Sequence, residues 1–122
     1  MDDNQTLVPA SFIDLYVEPG RIKPSQPREW IAERFEWCDD MAAMLCEPAS
    51  QALVKLGVAE SDVLHKLFQG LVGGEAGLSE AEALWVTCRL AELLAWPLSA
   101  PWVAGLSEPT QAWWQRQMPS AA

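Results

Sequence analysis

The sequence predicts an all-α fold: a single-domain bundle of about five helices over residues 1–122, with a long second helix kinked near Pro48 and a central helix at about residues 80–95. Three observations carry that expectation. Apolar residues recur at helical spacing from Ile31 to Leu56. Ser79-Glu80-Ala81-Glu82 is a capping box that opens a helix apolar on nearly every side. No stretch keeps the alternation of a half-buried strand. A chain of 122 residues buries roughly two-thirds of its unfolded surface, enough for one core without a disulfide or metal staple.

Pro9 opens a first short helix that carries Phe12, Leu15 and Tyr16, and Pro19-Gly20 stops it. A linker holding Pro24, Ser25 and Pro27 follows. The second helix begins near Pro27 and turns Ile31, Phe35, Cys38, Ala42 and Leu45 to the core. Pro48 breaks or kinks it, yet Ala49, Ala52, Leu53 and Leu56 continue in phase. We therefore expect one kinked helix ending at Gly57, the alternative being two helices that meet at Pro48. Ser61 is the expected cap of a third helix, with Asp62 in its first turn and Val63, Leu64, Leu67 and Phe68 facing inward. Gly70 is its expected end, and a glycine-rich connection runs on to Gly77.

The helix opened by Ser79 holds Leu84, Trp85, Val86, Cys88, Leu90, Ala91, Leu93 and Leu94. So apolar a helix needs cover on most sides, as the centre of the bundle or as part of a subunit interface. Trp96-Pro97 ends it, and one or two short helices follow, Ser107 capping the last. Residues 1–7 and 118–122 are expected to fray.

Eight Lys and Arg against seventeen Asp and Glu give a net charge of −9. That surface repels phosphate backbones and anionic headgroups, so we expect no nucleic-acid or membrane partner. A protein partner with a basic surface fits it better. The plain alternative is that the charge serves solubility. The longest uncharged run, Leu93 to Ser107, contains Pro97 and Pro101 and is too short to span a bilayer. Three cysteines, Cys38, Cys46 and Cys88, form no Cys-x-x-Cys, and no secretory signal is visible after Met1-Asp2-Asp3. Eight helical residues between Cys38 and Cys46 rise about 12 Å, too far for a disulfide. Three reduced thiols in a cytoplasmic protein are the expectation.

Catalytic groupings are thin, and no catalytic residue, metal ligand set or cofactor is expected. His65 is the one histidine; Asp62, three residues earlier, shares its helix face and would orient an imidazole for proton transfer. The bland alternative is an ordinary ion pair. One histidine supplies neither a paired Cys/His zinc site nor two Glu-x-x-His motifs. Gly70, Gly73, Gly74 and Gly77 lack the lysine and preceding strand of a phosphate loop.

Two features point to a binding surface. Glu29, Glu33, Glu36 and Asp40, at spacings of 4, 3 and 4, share one side of the second helix. They form a docking row for a basic partner or simply a solvated face. Seven tryptophans are the other feature. Trp30 and Trp37 flank the core stripe of the second helix. Trp102, Trp113 and Trp114 crowd the C-terminal segment, where the adjacent pair points in different directions. Exposed tryptophans suit an interface, and buried ones a small core.

Several stretches carry a resemblance. They are Val8-Pro9-Ala10-Ser11-Phe12, Pro27-Arg28-Glu29, Cys38-Asp39-Asp40-Met41-Ala42, Ala81-Glu82-Ala83-Leu84-Trp85-Val86 and Arg89-Leu90-Ala91-Glu92-Leu93-Leu94. The chain resembles, over much of residues 8–96, a set of small uncharacterised proteobacterial proteins, some labelled "ATPase with chaperone activity". The resemblance implies a bacterial cytoplasmic protein and is compatible with association with a chaperone or a larger ATPase. ATPase activity is not carried over, because the chain has no Walker lysine and no basic cluster for a triphosphate.

The expected function is that of a non-enzymatic interaction or adaptor domain. Its expected partner-binding residues are Glu29, Glu33, Glu36, Asp40, Trp102, Trp113 and Trp114. The alternatives are a small enzyme using His65 with a carboxylate, or a structural subunit of an oligomer, a homodimer being the simplest.

Overall fold

The computed structural model describes residues 7–118, and every regular element in that range is helical. Of the ends expected to fray, residues 1–6 and 119–122 lie outside the described range. Helix α1 (Ala10–Ile13) runs into a 3-10 turn (Asp14–Tyr16). Pro9 sits extended ahead of α1, and its carbonyl accepts from the Phe12 and Ile13 N–H groups at 3.0 and 3.2 Å. Phe12 is fully buried and meets Tyr16, Phe35 and Trp85 edge-on. One short helix is thereby pinned by one ring.

Helix α2 (Arg28–Met44) and α3 (Cys46–Leu56) form one 29-residue helix bent at Leu45. The bend falls three residues before Pro48, for a steric reason. Proline has no N–H to offer the Met44 carbonyl, and its ring crowds that same carbonyl. Leu45 N–H instead divides between the carbonyls of Met41 (3.1 Å) and Ala42 (3.2 Å), and the ladder resumes with Ala49 N–H to Leu45 O at 2.9 Å. Gly57, at φ +66°, closes α3 in the left-handed conformation that glycine adopts without steric cost.

Helix α4 (Glu60–Gly73) departs from expectation at both ends. Its cap is Ala59, not Ser61. Asp62 accepts from the Ala59 N–H at 3.2 Å, the return half of a capping box, and this pulls the start two residues forward. Gly70 does not end the helix, because Leu71 extends the Val63, Leu64, Leu67, Phe68 stripe and packs against the core. The chain leaves the helix at Gly74, where a Cβ would lie 2.6 Å from the Gly70 carbonyl oxygen.

Helix α5 (Glu80–Leu94) is the centre of the bundle, packed against α2, α3, α4 and α6 (Glu108–Gln117). Its capping box forms as expected: Glu82 N–H donates to Ser79 Oγ at 3.1 Å, and Ser79 N–H to Glu82 Oε1 at 2.9 Å. Eight of its fifteen residues are buried, and Thr87 hides its hydroxyl by donating to Ala83 O at 2.8 Å. It ends at Ala95, a non-glycine residue at φ +58°, where Trp96 N–H reaches back to Ala91 O at 2.9 Å. A 3-10 turn (Pro101–Gly105) leads to α6. Ser107 and Thr110 fix the start of α6 by converging on Glu80 Oε1 from 2.7 and 2.6 Å.

Candidate functional site

Seven residues bring a helix back to within about 20° of the same direction. Trp30, Trp37 and Met44 are spaced by seven on α2 and form a single ridge along it. All three face solvent, at 39, 38 and 75 % exposure. The same helix buries Ile31, Cys38 and Ala42 on its inner side. Glu29, Glu33, Glu36 and Asp40 are all exposed and run beside the ridge, on its flank away from the core. The face is thus an apolar spine with an acidic border.

The two indoles are braced from inside the molecule. The Arg34 guanidinium lies 4.6 Å from the ring centre of Trp37 and 5.8 Å from that of Trp30, both within cation–π range. Arg34 is fixed in turn by Glu82, a carboxylate only 4 % exposed. Arg34 Nε donates to Glu82 Oε2 at 2.8 Å, and a terminal nitrogen donates to Oε1 at 2.9 Å. The same terminal nitrogen donates to the Gly77 carbonyl at 3.0 Å. Tyr16 Oη donates to Glu82 Oε2 at 2.6 Å, and the Tyr16 ring meets Trp30 edge-on at 5.2 Å. With the Ser79 N–H, four donors share one buried carboxylate, which ties the 3-10 turn after α1 to α2 and α5 beneath the ridge.

The electrostatics follow from that geometry. Burial pushes the Glu82 carboxyl up, but hydrogen bonds from Arg34, Tyr16 and the Ser79 N–H outweigh it, and the net shift is downward. Burial, with the Glu82 carboxylate added, drives Tyr16 well above its ordinary value. Cys38, buried behind the pair, is pushed up to about 12 chiefly by burial and then by Glu82. The charged pair is therefore intact at neutral pH and the surrounding hydroxyl and thiol are protonated.

The C-terminal tryptophans are placed differently from expectation. Trp113 is 3 % exposed and donates its indole N–H to Ser11 O at 2.9 Å, so it is core and not a partner contact. Trp114 and Trp102 are half-buried against the same core. Trp102 stacks on His65 at 4.7 Å and against Phe68 at 4.8 Å, leaving its buried indole nitrogen without an acceptor among the described residues. The reason is α6, whose Arg116 and Gln117 both hold Asp14 and press the segment onto α1. His65 and Asp62 are not joined as an acid–base pair: the imidazole stacks on Trp102 while Asp62 turns back to the Ala59 N–H.

A cleft of about 730 Å³ is lined by Phe35, Trp85 and Trp113 together with Cys88, Arg89 and Glu92. Its polar groups are engaged: Ser11 accepts from both Trp85 and Trp113, and Arg89 bridges Asp39 and Glu92 at 2.8 Å each. Among the described residues no three His, Cys, Asp or Glu side chains gather to hold a metal, and no helix is long and apolar enough to cross a membrane.

Sequence reasoning located the acidic row, Trp30 and Trp37, and set Arg34 near that row, but missed the bracing by Tyr16 and Arg34, the place of Met44 and the second role of Glu82. The seven-residue interval from Trp37 to Met44 was the available signal for Met44. Nothing local pairs Arg34 with Glu82. Compared with protein-family models, with curated proteins and with solved structures, the chain matches none.

Proposed function

We propose that this chain is a non-enzymatic protein-interaction domain that docks a partner protein on the outer face of α2. One observation carries the proposal: two half-exposed indoles in line with an exposed methionine, held rigid by a guanidinium anchored to a buried carboxylate. Tryptophan and arginine dominate binding energy at interfaces, and side chains ordered in advance lose little entropy when they are covered. A ridge that served the fold alone would gain more from being buried. Trp102 and Trp114 are secondary candidates at most, being already packed on the core. A chaperone or a larger ATPase is a partner in keeping with the resemblance over residues 8–96, and a cytoplasmic setting is in keeping with the three free thiols.

The test is affinity capture from a bacterial lysate with the wild-type chain, Met44→Glu and Trp37→Ala, each checked for helical content. Partners retained by wild type and by Trp114→Ala but lost from the two ridge variants are expected. A partner list unchanged by either ridge substitution overturns the proposal.

A further inference from the structure

Resting on that reading, we infer that the α2 face takes one amphipathic helix carrying a row of lysines or arginines beside an apolar seam. The ridge sets the shape of the occupant. From Trp30 to Met44 it stops short of the bend at Leu45 and is about 21 Å long, the span of about four helical turns. A seven-residue apolar repeat is the pattern that a second helix packs along. A strand, rising more than 3 Å per residue, would fall out of step with it.

The border sets the charge. Glu29, Glu33, Glu36 and Asp40 follow one another at 4, 3 and 4, the interval at which lysines on one flank of a facing helix also recur. The helix offers Glu29, Glu33 and Asp40 little compensation. Of its two arginines, Arg34 is drawn inward to Glu82, and Arg28 lies on the opposite flank of the helical wheel. The whole chain adds a net charge of −9, which speeds the approach of a cation and slows that of an anion. A second copy is disfavoured on the same ground. Two-fold antiparallel packing on this ridge would set each acidic row against itself, with −9 facing −9.

The probe is a synthetic three-heptad helical peptide with a leucine seam and a row of lysines beside it, with Lys→Gln and Lys→Glu analogues, titrated by fluorescence anisotropy. We expect the lysine peptide to bind about tenfold or more tightly than the glutamine analogue, and the glutamate analogue not to bind. Raising salt from about 50 to about 300 mM weakens the lysine peptide most. Glu33→Gln/Asp40→Gln, on exposed positions that leave the fold intact, removes most of the difference between lysine and glutamine peptides. Met44→Glu weakens binding of both uncharged-flank and lysine peptides. If lysine and glutamine peptides bind alike yet both depend on Met44 and Trp37, the basic-partner inference is overturned and the docking face stands. If binding ignores Met44 and Trp37, the docking face itself is overturned. Self-association by sedimentation that Met44→Glu abolishes, with no peptide binding, replaces the basic helix with a second copy.

Discussion

Glu82→Gln is the substitution that tests the link between the buried carboxylate and the outer ridge. Four donors converge on the two carboxylate oxygens: two nitrogens of Arg34, the Tyr16 hydroxyl and the Ser79 N–H. Glutamine keeps one acceptor and replaces the other with a donor. If the amide oxygen takes the Ser79 N–H and one Arg34 nitrogen, the NH2 group confronts Arg34 Nε and Tyr16 Oη. Tyr16 can rotate its hydroxyl to accept, whereas Arg34 Nε cannot. A buried donor left unmatched costs about 1–3 kcal/mol, and removing one partner of a buried ion pair costs about 3–5 kcal/mol. Arg34 keeps 24 % of its side-chain exposure, so water recovers part of that. The expected loss is about 2–4 kcal/mol, against a total of about 5–15 kcal/mol for a domain. In urea, followed by circular dichroism, this lowers the midpoint by about 1–2 M. Once Arg34 is released, Trp30 and Trp37 become more open to acrylamide quenching at denaturant levels where the fold is intact. The pH dependence has a definite sign. The folded-state Glu82 carboxyl lies below its unfolded value of about 4.3, so its contribution is present above that pH and is lost as pH falls through the folded value. The gap between wild type and Glu82→Gln should therefore close in acid. A midpoint shift under about 0.3 M at pH 7, with quenching unchanged, would refute the bracing of the ridge.

Trp113→Ala should cost about 3–5 kcal/mol and melt far below wild type, whereas Trp37→Ala should cost less than about 2 kcal/mol; equal losses in a thermal melt would contradict the assignment of one to the core and the other to the face. Burial pushes the Cys38 and Cys88 thiols up to about 12, but only Cys38 is sealed from solvent, so mass spectrometry after brief alkylation should find Cys38 unmodified until urea is added. Because these thiols are raised above an unfolded value of about 8.5, their contribution to stability is full below that pH and declines as pH climbs toward about 12, so urea midpoints should fall on the alkaline side. Ala95→Gly relieves a left-handed alanine at the end of α5 and should raise stability by about 0.5–1 kcal/mol; a lower midpoint would mean that the Ala95 methyl contributes packing that its conformation conceals.

What this sequence determined alone is everything written within about one helical turn. The capping box at Ser79, the apolar interval from Ile31 to Leu45, the stop at Gly57 and the consequence of Pro48 each depend on backbone groups three or four residues apart. The same proximity makes the acidic row legible, since spacing alone places four carboxylates on one flank. Even local information failed where two signals competed: Asp62 outweighed Ser61 at the start of α4, and packing of Leu71 carried the helix past Gly70. Only the tertiary structure decided which tryptophans are covered and which charges are spent. Trp113 owes its burial to Ser11, 102 residues away, and Arg34 owes its inward turn to Glu82, 48 residues away. Those partners meet because whole helices dock to bury their apolar sides, and burial is a property of the summed surface rather than of any short stretch of chain. A helix can announce its two flanks from its residues, but its neighbours determine which one meets water.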